Sequence, residues 1–299
     1  MGSPSLNLWD LRREELRPTS VELETGTYLE SYLGRSFRSG DIAELFHENT
    51  KLNAQMAQRL NETNAQFQTD VLKYHQATFS PDYSGSALIE LPTDVDLDGE
   101  LSEVLLRRRS VREYSESRID QRDLAKLLRY GCGTSGENQT KHLGVEISQS
   151  FRTYPSGGAL YPIEIYPIVL NGDDIANGVY YYNAEKNGLR RLYNGDVETK
   201  LRDSFLDPVV EWNSSLVLIF TGAFWRSKMK YGPRAYRYVL QESGHIAQNI
   251  HLVAQTLGIG SVPLASFYDD NVNDLLKVDG VNEAVVYAMA LGSQSQGDK

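Results

Sequence analysis

The sequence predicts an α+β fold, a layered domain in which helices alternate with strands. Two observations carry this prediction. The continuous apolar run at 216–220 is typical of a strand buried on both faces. A long helical pattern follows Pro233 and ends at Gly258, with apolar residues at helical spacing along it. Five further strand-like runs are interleaved with helical segments, which is the pattern of a mixed domain with its sheet covered by helices.

Residues 1–100 are predicted to form a helical N-terminal extension, which could be a helical cap, a dimer arm or a docking surface. An Asn- and Gln-rich stretch at 52–72 fits a long polar amphipathic helix, with disorder as the alternative. The region 81–92, which contains Gly85, is interpreted as a linker. Apolar residues recur at helical spacing at Tyr28, Leu29, Tyr32 and Leu33, and again at Ile42, Leu45 and Phe46.

Residues 101–292 are predicted to form the main domain, followed by a C-terminal tail at 293–299. A short helix beginning at Leu101 ends in a basic run. A second helix begins after Asp120, a good N-cap residue, and ends at 131–133. The segment 259–267 is interpreted as a loop of small residues, or as a wall that offers backbone donors to a planar ring. Strands are predicted at 144–147, 163–170, 179–182, 189–192 and 284–291.

Composition excludes several classes of protein. The net charge of −10 and the pI of about 5.1 argue against nucleic acid or an anionic membrane as the main partner. Cys132 is the single cysteine, so an internal disulfide cannot form, and the histidine spacing gives no support for a zinc site. No apolar run has the length of a membrane helix, and the first 20 residues do not resemble a signal peptide. We therefore expect a cytoplasmic protein.

Two motifs together suggest a site for a flat, phosphorylated cofactor. The first is Ser156-Gly157-Gly158, where the glycines leave backbone N–H groups without a Cβ to keep a ligand away. A tight turn entering a strand is the alternative. The second is the basic run at 107–112, Arg-Arg-Arg-Ser-Val-Arg, in an otherwise acidic chain. Guanidinium groups and a hydroxyl at a helix end suit a phosphate, although a solvated charged helix end is also common.

A second basic cluster contains the adjacent residues Lys230 and Tyr231. No acidic residue lies between Arg226 and Arg237. The functional interpretation is a general acid/base pair, because nearby cations would favour the phenolate form of tyrosine. The alternative is a surface lysine beside a tyrosine at a helix entry.

These motifs resemble the SagB-type dehydrogenase, or azoline oxidase, branch of the nitroreductase-like FMN flavoproteins. The resemblance rests on Arg-Arg-Ser-x-Arg at 108–112 and on Tyr-Pro-Ser-Gly-Gly-Ala-Leu-Tyr-Pro-Ile-Glu at 154–164. It extends through Lys230-Tyr231 to Glu-Ser-Gly-His-Ile-Ala-Gln-Asn at 242–249, and Phe-His-Glu-Asn-Thr-Lys at 46–51 is similar to a short leading motif of the branch. It implies a central mixed sheet flanked by helices.

The resemblance also implies three groups of FMN-binding residues and a catalytic pair, Lys230 and Tyr231. Many relatives add a basic residue to the phosphate after the last strand; here either the arginine run suffices or Lys299 contributes. The phosphate and ribityl group comprises Arg108, Arg109, Ser110 and Arg112. The residues expected to line the flavin are Pro155, Ser156, Gly157 and Gly158. Those expected to face the ring are Pro263, Leu264 and Ala265.

The function implied by the resemblance is oxidation of thiazoline or oxazoline rings in a ribosomally made peptide to thiazole or oxazole. The expected partners are the peptide substrate, a second copy of the chain in a homodimer, and cyclodehydratase components. Two alternatives remain at this point. One is an NAD(P)H-dependent reductase of an activated alkene, such as dehydroalanine, or of a nitro group. The other is a non-catalytic, flavin-bound subunit of a peptide-modification complex.

Overall fold

The computed structural model of the chain describes residues 42–52, 58, 62, 81, 83–115, 118–142, 145–193, 195–209 and 212–294. The apolar pattern at 28–33, nearly all of the polar stretch at 52–72, and Lys299 lie outside the described residues. The helical spacing at Ile42, Leu45 and Phe46 is confirmed, because these residues lie in a helix, α1 (Ile42–Asn49). Within the described residues, no helix is both long and apolar enough to cross a membrane.

The strands of the described residues are β1 (Leu88–Glu90), β2 (Thr134–His142), β3 (Val145–Arg152), β4 (Ile163–Val169), β5 (Gly178–Asn183), β6 (Gly188–Tyr193), β7 (Leu216–Ala223), β8 (Ile259–Leu264) and β9 (Glu283–Ser293). Seven of them form a sheet at the centre of the fold, in the order β1-β6-β5-β4-β7-β9-β8. Neighbouring strands pair antiparallel, and parallel contacts occur as isolated bridges such as Ser110–Ser261. A separate hairpin is formed by β2 and β3.

Helices cover both faces of this sheet, which confirms the predicted α+β class. Besides α1, the helices of the described residues are α2 (Leu101–Arg107), α3 (Gln121–Cys132), α4 (Val197–Ser204), α5 (Phe224–Tyr231), α6 (Ala235–Thr256) and α7 (Asp269–Leu276). Leu218 of β7 packs in one core with α3 and α6, whereas its neighbour Ile219 packs in a second core with α4 and α7. The run at 216–220 is therefore buried on both faces, as predicted.

The start of α3 confirms a local prediction. The Asp120 carboxylate accepts a 2.7 Å hydrogen bond from the backbone N–H of Asp123, which satisfies one of the free donors of the first turn. The apolar face of this helix, including Leu124 and Leu128, is fully buried against α6. Since α6 crosses the sheet and packs on α3, α5 and β8, it is the element that connects the parts of the candidate site.

Two interpretations of loops are wrong. The region 81–92 contains β1, which pairs with β6 at one edge of the sheet. The segment 259–267 begins with β8, which pairs with β9 at the other edge. Gly260 and Pro263 favoured a loop, but an edge strand tolerates proline because one row of its backbone donors is not needed for pairing. Gly260 also has a packing role, since a Cβ there would lie 2.9 Å from Val111.

Several elements were not predicted. The strand expected at 144–147 is the beginning of β3, which continues to Arg152 and pairs with the unpredicted β2. The basic cluster around Lys230 was assigned no secondary structure, yet it forms α5 and the 3₁₀ turn Gly232–Arg234 before α6. Charged residues hid the helical period of α5, because only its Arg226 and Ser227 are buried.

Candidate functional site

The Ser-Gly-Gly segment forms a strained turn immediately before β4. Gly157–Ala159 is a 3₁₀ turn, and the Ser156 hydroxyl oxygen accepts a 2.9 Å hydrogen bond from Tyr161 N–H. Gly158, Ala159 and Tyr161 have positive φ angles of 68°, 52° and 46°. Left-handed backbone costs about 1–2 kcal/mol at a residue with a Cβ, and such conformations cluster at functional sites. The geometry therefore marks this turn as specialised.

The structure brings Lys230 and Tyr231 to this turn, although they follow Gly158 by 72 and 73 residues in the sequence. A Cβ built on Gly158 would lie 2.6 Å from Nζ of Lys230 and 2.8 Å from the hydroxyl oxygen of Tyr231. A Cβ on Gly157 would lie 3.5 Å from Cε2 of the same tyrosine ring. The absence of a side chain at Gly158 thus allows both polar groups to converge on one point of the backbone.

A buried ion pair holds the helix that carries these two residues. Arg226, one turn before Lys230 on α5, pairs with Glu164 of β4 and donates a 2.8 Å hydrogen bond to the carbonyl oxygen of Tyr161. Both side chains of the pair are about 10% exposed. Because removing one partner of a buried pair leaves an uncompensated charge, this contact strongly fixes α5 against the strained turn.

The surroundings of Tyr231 differ from the expectation that cations would favour its phenolate. Burial raises the pKa of Tyr231, and the neighbouring Tyr238 and Glu242 raise it further. The ring of Tyr231 packs edge-on against Tyr238, with the ring centres 4.9 Å apart. Nζ of Lys230 lies 5.5 Å from the centre of the Tyr231 ring. In this state the phenol holds its proton at neutral pH.

Glu242 of α6 lies beneath the turn and was missed as a site residue. Its Oε1 accepts a 3.2 Å hydrogen bond from Gly157 N–H, so this N–H points into the protein and not outward as the sequence interpretation had it. Burial raises the pKa of Glu242 to about 7. The sequence did contain a signal, because Glu242 occupies a position of the buried stripe that includes Val239 and Ile246.

The arginine run follows the end of α2, as predicted. Arg109, Ser110 and Arg112 are exposed, and Arg108 is half-buried. Among the described residues, no carboxylate forms an ion pair with these three arginines, whereas Arg107 lies 3.7 Å from Glu103 within the helix. Their charges are therefore not neutralised by a carboxylate, although Nη1 of Arg109 donates to the carbonyl oxygens of Leu106 and Arg108.

His251 connects this run to α6 and β8, and the sequence analysis did not identify it as a site residue. Nε2 of His251 lies 3.1 Å from Nη1 of Arg108, and Nδ1 lies 2.5 Å from the Ser261 hydroxyl oxygen. Burial, with the Arg108 charge, lowers the pKa of His251 to about 4. A neutral ring can accept the hydrogen bond from Arg108 and so orient that guanidinium.

The predicted ring-facing residues lie at the end of β8. The backbone of Val111 donates to Ser261, which places the arginine run beside this strand. Pro263 is half-buried and Ala265 is exposed, but the side chain of Leu264 is buried in the second core. Leu264 can therefore offer a ligand its backbone but not its side chain.

The second basic cluster separates in space. Besides the buried Arg226, Arg234 and Arg237 donate to the carbonyl oxygen and the hydroxyl oxygen of Thr50, which follows α1. Phe46 of α1 packs edge-on against Tyr236. These two arginines thus hold α1, Arg226 holds the carbonyl of Tyr161, and Lys230 lies at Gly158.

The site combines two chemical capacities along α6. Beside the first half of α6, the Lys230 amine and the Tyr231 phenol meet at Gly158 and form a pair able to hold or move a proton. Beside its second half lies the arginine run, whose guanidinium groups suit a phosphate. Glu242 and His251 are nine residues apart, which corresponds to about 14 Å along a helix. An elongated phosphorylated cofactor fits this arrangement, and within the described residues no group of three or more His, Cys, Asp and Glu side chains could bind a metal ion.

Comparison with known proteins places these residues in a wider context. Residues 105–293 match the Nitroreductase family. Nitroreductase MJ1384 of Methanocaldococcus jannaschii is 35% identical over 190 residues, which cover 64% of this chain and 89% of that protein.

Two peptide-processing proteins are also similar. The trifolitoxin-processing protein TfxB of Rhizobium leguminosarum bv. trifolii is 31% identical over 147 residues, 47% of this chain and 39% of TfxB. The microcin B17-processing protein McbC of Escherichia coli is 30% identical over 133 residues, 43% of this chain and 49% of McbC. The matched region therefore spans less than half of either protein, and both relatives support the branch indicated by the motifs.

Solved structures share the fold. A nitroreductase structure from Anabaena variabilis has a TM-score of 0.63 at 26% identity, and the match covers 84% of this chain and 46% of that one. The E. coli microcin synthetase McbBCD complex, with truncated pro-MccB17 bound, contains a chain with a TM-score of 0.54 at 23% identity. That match covers 85% of this chain and 92% of the other.

Proposed function

The chain belongs to the nitroreductase family, whose members are oxidoreductases, and from this premise we propose a specific activity. The protein is an FMN-dependent dehydrogenase that oxidises thiazoline or oxazoline rings of a ribosomally made peptide to thiazole or oxazole. The observation that carries the proposal is the convergence of Lys230 and Tyr231 on Gly158. Aromatising such a ring requires a group that removes a proton from a ring carbon, and this pair is positioned to do so.

FMN is proposed because the arginine run and the Lys230–Tyr231 pair both pack against α6, at His251 and at Tyr238 respectively. Arg109, Ser110 and Arg112 would hold the phosphate, with Arg108 oriented by His251. The backbone at the Ser-Gly-Gly turn and at the end of β8 would border the ring. When bound, FMN supplies the two-electron acceptor of the oxidation. The protein contributes the position of the substrate, the exclusion of water and the proton acceptor.

The Lys230–Tyr231 pair accepts one proton per ring oxidised. The pKa of Tyr231 is raised, so its phenolate is scarce at neutral pH. The Lys230 amine also lies at Gly158, next to the Tyr231 hydroxyl. It therefore either accepts the proton together with Tyr231 or stabilises the phenolate that accepts it. This assignment separates the catalytic pair from the phosphate-binding arginines, and each can be tested alone.

The peptide substrate and a cyclodehydratase partner are proposed from the relatives. TfxB and McbC are named for processing trifolitoxin and microcin B17, and the McbBCD structure contains a bound pro-peptide. By analogy, a cyclodehydratase would form the azoline and this chain would then oxidise it.

The direct test is mass spectrometry of a synthetic thiazoline-containing peptide incubated with the purified, FMN-loaded protein under air. The expected result is a loss of two hydrogens per ring and the appearance of azole absorbance. An unchanged peptide mass, with FMN bound and both thiazoline and oxazoline offered, would refute the activity.

A reductase is the second candidate, favoured by the similarity to the M. jannaschii protein named a nitroreductase. It predicts rapid bleaching of the flavin absorbance by NADH or NADPH and consumption of an activated alkene or nitro compound. An azoline dehydrogenase instead predicts bleaching by the thiazoline peptide. Anaerobic stopped-flow spectra with each reductant distinguish the two.

A homodimer is also proposed, and α2 supports it. None of its residues is buried, and Leu101, Leu105 and Leu106 are 63%, 51% and 77% exposed. Such an apolar face is typical of a contact surface. Sedimentation of the wild type should show a dimer, and the double variant Leu105→Asp/Leu106→Asp should dissociate at lower dilution. Leu206→Asp, at a similarly exposed leucine on the loop after α4, is the control and should remain dimeric. A monomeric wild type at low micromolar concentration contradicts the proposal.

A further inference from the structure

The carboxyl group of Glu242 is buried directly beneath the strained turn, and its two oxygens have different surroundings. Oε1 accepts the hydrogen bond from Gly157 N–H. Oε2 is buried with the rest of the side chain, which is 3% exposed, and forms no hydrogen bond of good geometry among the described residues, although the Ser156 hydroxyl is near enough to favour the ionised carboxylate. A buried polar atom without a partner is uncommon in folded proteins and costs free energy, so it calls for a functional explanation.

Gly157 connects this carboxyl group to the catalytic pair. Its N–H faces Glu242, while the position of its missing side chain lies 3.5 Å from the Tyr231 ring. The next residue, Gly158, meets the Tyr231 hydroxyl and the Lys230 amine. The orientation of the peptide unit at Gly157 therefore determines the surface on which both side chains lie, and Glu242 determines that orientation.

We infer that Glu242 is a positioning residue of the Lys230–Tyr231 site: its carboxyl group fixes the turn beneath the pair and places an acidic group on the other side of Gly157 from the Tyr231 ring. The contact itself is independent of the reaction catalysed, whereas its importance for turnover rests on the proposed function.

The groups around Glu242 support the electrostatic part of this inference. Ser156 and Gly157 N–H are its nearby donors, and they partly offset the burial that raises its pKa to about 7. From the other elements packed around it, the buried phenol of Tyr154 and the half-buried phenol of Tyr231 interact with its charge. Above pH 7 the ionised carboxylate therefore disfavours a second negative charge at Tyr231. Two cations face these phenols: the Arg152 charge favours ionisation of Tyr154, and Nζ of Lys230 lies 5.5 Å from the centre of the Tyr231 ring.

The first test measures ionisation of the phenol in the full-length protein. Fluorotyrosine placed at position 231 alone is titrated by ¹⁹F NMR above pH 7 in the otherwise wild-type chain and in Glu242→Gln. Glutamine keeps an acceptor for Gly157 N–H but removes the charge, so the phenol should ionise at a lower pH. Glu198→Gln, an exposed acid on α4 across the sheet, should leave the titration unchanged. An unchanged titration in Glu242→Gln overturns the inference.

The second test measures the hydrogen bond. Amide exchange at Gly157 should be roughly tenfold faster in Glu242→Leu, which lacks an acceptor, and near the wild-type rate in Glu242→Gln. Wild-type exchange in Glu242→Leu overturns the positioning role; if that variant does not fold, the titration in Glu242→Gln decides. Neither measurement requires azoline turnover, so either can succeed where the proposed activity fails.

Discussion

Arg108 and His251 are joined by a 3.1 Å contact between a guanidinium nitrogen and a neutral imidazole nitrogen. Since Nδ1 of the same ring lies at the Ser261 hydroxyl, one histidine links the arginine run, α6 and β8. A protonated ring would repel Arg108 and could not accept its hydrogen bond. The orientation of Arg108, in the proposed phosphate-binding run, therefore depends on His251 remaining uncharged.

This arrangement predicts a pH dependence of stability. The pKa of His251 is lowered to about 4, whereas an unfolded histidine titrates near 6.5. Between these values the unfolded chain binds a proton that the folded chain does not, so the contribution of His251 to stability falls as pH decreases from about 6.5 to about 4. The loss is at most about 3 kcal/mol.

Urea unfolding of wild type and His251→Gln at a series of pH values measures this contribution as a difference. The two proteins are compared at each pH because Glu242, whose pKa is raised to about 7, contributes in the opposite direction. Its contribution to the free energy of unfolding falls as pH increases from about 4.5 to about 7. His245→Gln, at an exposed histidine of the same helix, is the control. A wild-type advantage that is constant from pH 7 to pH 4 would contradict the role of His251.

The two glycines of the turn should respond differently to alanine. Gly158→Ala places a Cβ 2.6 Å from the Lys230 amine and 2.8 Å from the Tyr231 hydroxyl, in a left-handed conformation. Both obstructing atoms lie at the ends of side chains, so the proposed catalytic pair should move, while stability falls by about 1–2 kcal/mol. Gly157→Ala meets the Tyr231 ring at an ordinary 3.5 Å. We expect turnover to be lost in the first variant and largely kept in the second; equal activity of the two would be inconsistent with this geometry.

Local patterns in the sequence were sufficient for much of the fold. The Asp120 cap, the doubly buried run at 216–220 and the long helix after Pro233 depend on contacts or periodicities within a few residues. β8 was missed because Gly260 and Pro263 have local preferences for loops, and only its position at the sheet edge makes a strand acceptable. Edge position is a property of the whole sheet.

The candidate site was predictable as a set of motifs but not as an arrangement. Lys230 and Tyr231 were identified, yet their contact with Gly158 depends on Arg226, whose partner Glu164 is distant in sequence. The pKa of Tyr231 was expected to respond to nearby cations, but burial is the larger effect, and burial is a tertiary property. Glu242 was visible only as an acidic residue within an apolar stripe.

The arginine run should control FMN affinity. Arg109→Ala and Arg112→Ala should each weaken FMN binding about tenfold or more, because each removes a charged donor to the phosphate. Titration of the FMN-free protein, followed by quenching of flavin fluorescence, measures the dissociation constant. Arg107→Ala, which removes a neighbouring arginine paired with Glu103, is the control and should bind normally. If Arg109→Ala and Arg112→Ala bound FMN as tightly as Arg107→Ala and the wild type, these arginines would be excluded as the phosphate site.

Tyr231→Phe and Lys230→Ala test the catalytic pair. Phenylalanine preserves the ring packed on Tyr238 and Gly157, so the fold and bound FMN should persist. Loss of a positioned proton acceptor should lower the rate of azole formation about 10²–10⁴-fold. Lys228→Ala, at an exposed lysine of the same helix, should retain activity. Normal azole formation by both Lys230→Ala and Tyr231→Phe would instead favour a non-catalytic, flavin-bound subunit.

The pH profile of this reaction provides the sharper measurement. Burial raises the pKa of Tyr231, so the phenolate fraction increases with pH throughout the range in which the protein is folded. If Tyr231 is the base, the wild-type rate under single-turnover conditions should rise with pH, and Tyr231→Phe should lose that rise along with most of its rate. A Tyr231→Phe enzyme that keeps both the rate and the slope would show that another group removes the proton, and Lys230 would then be the first residue to titrate.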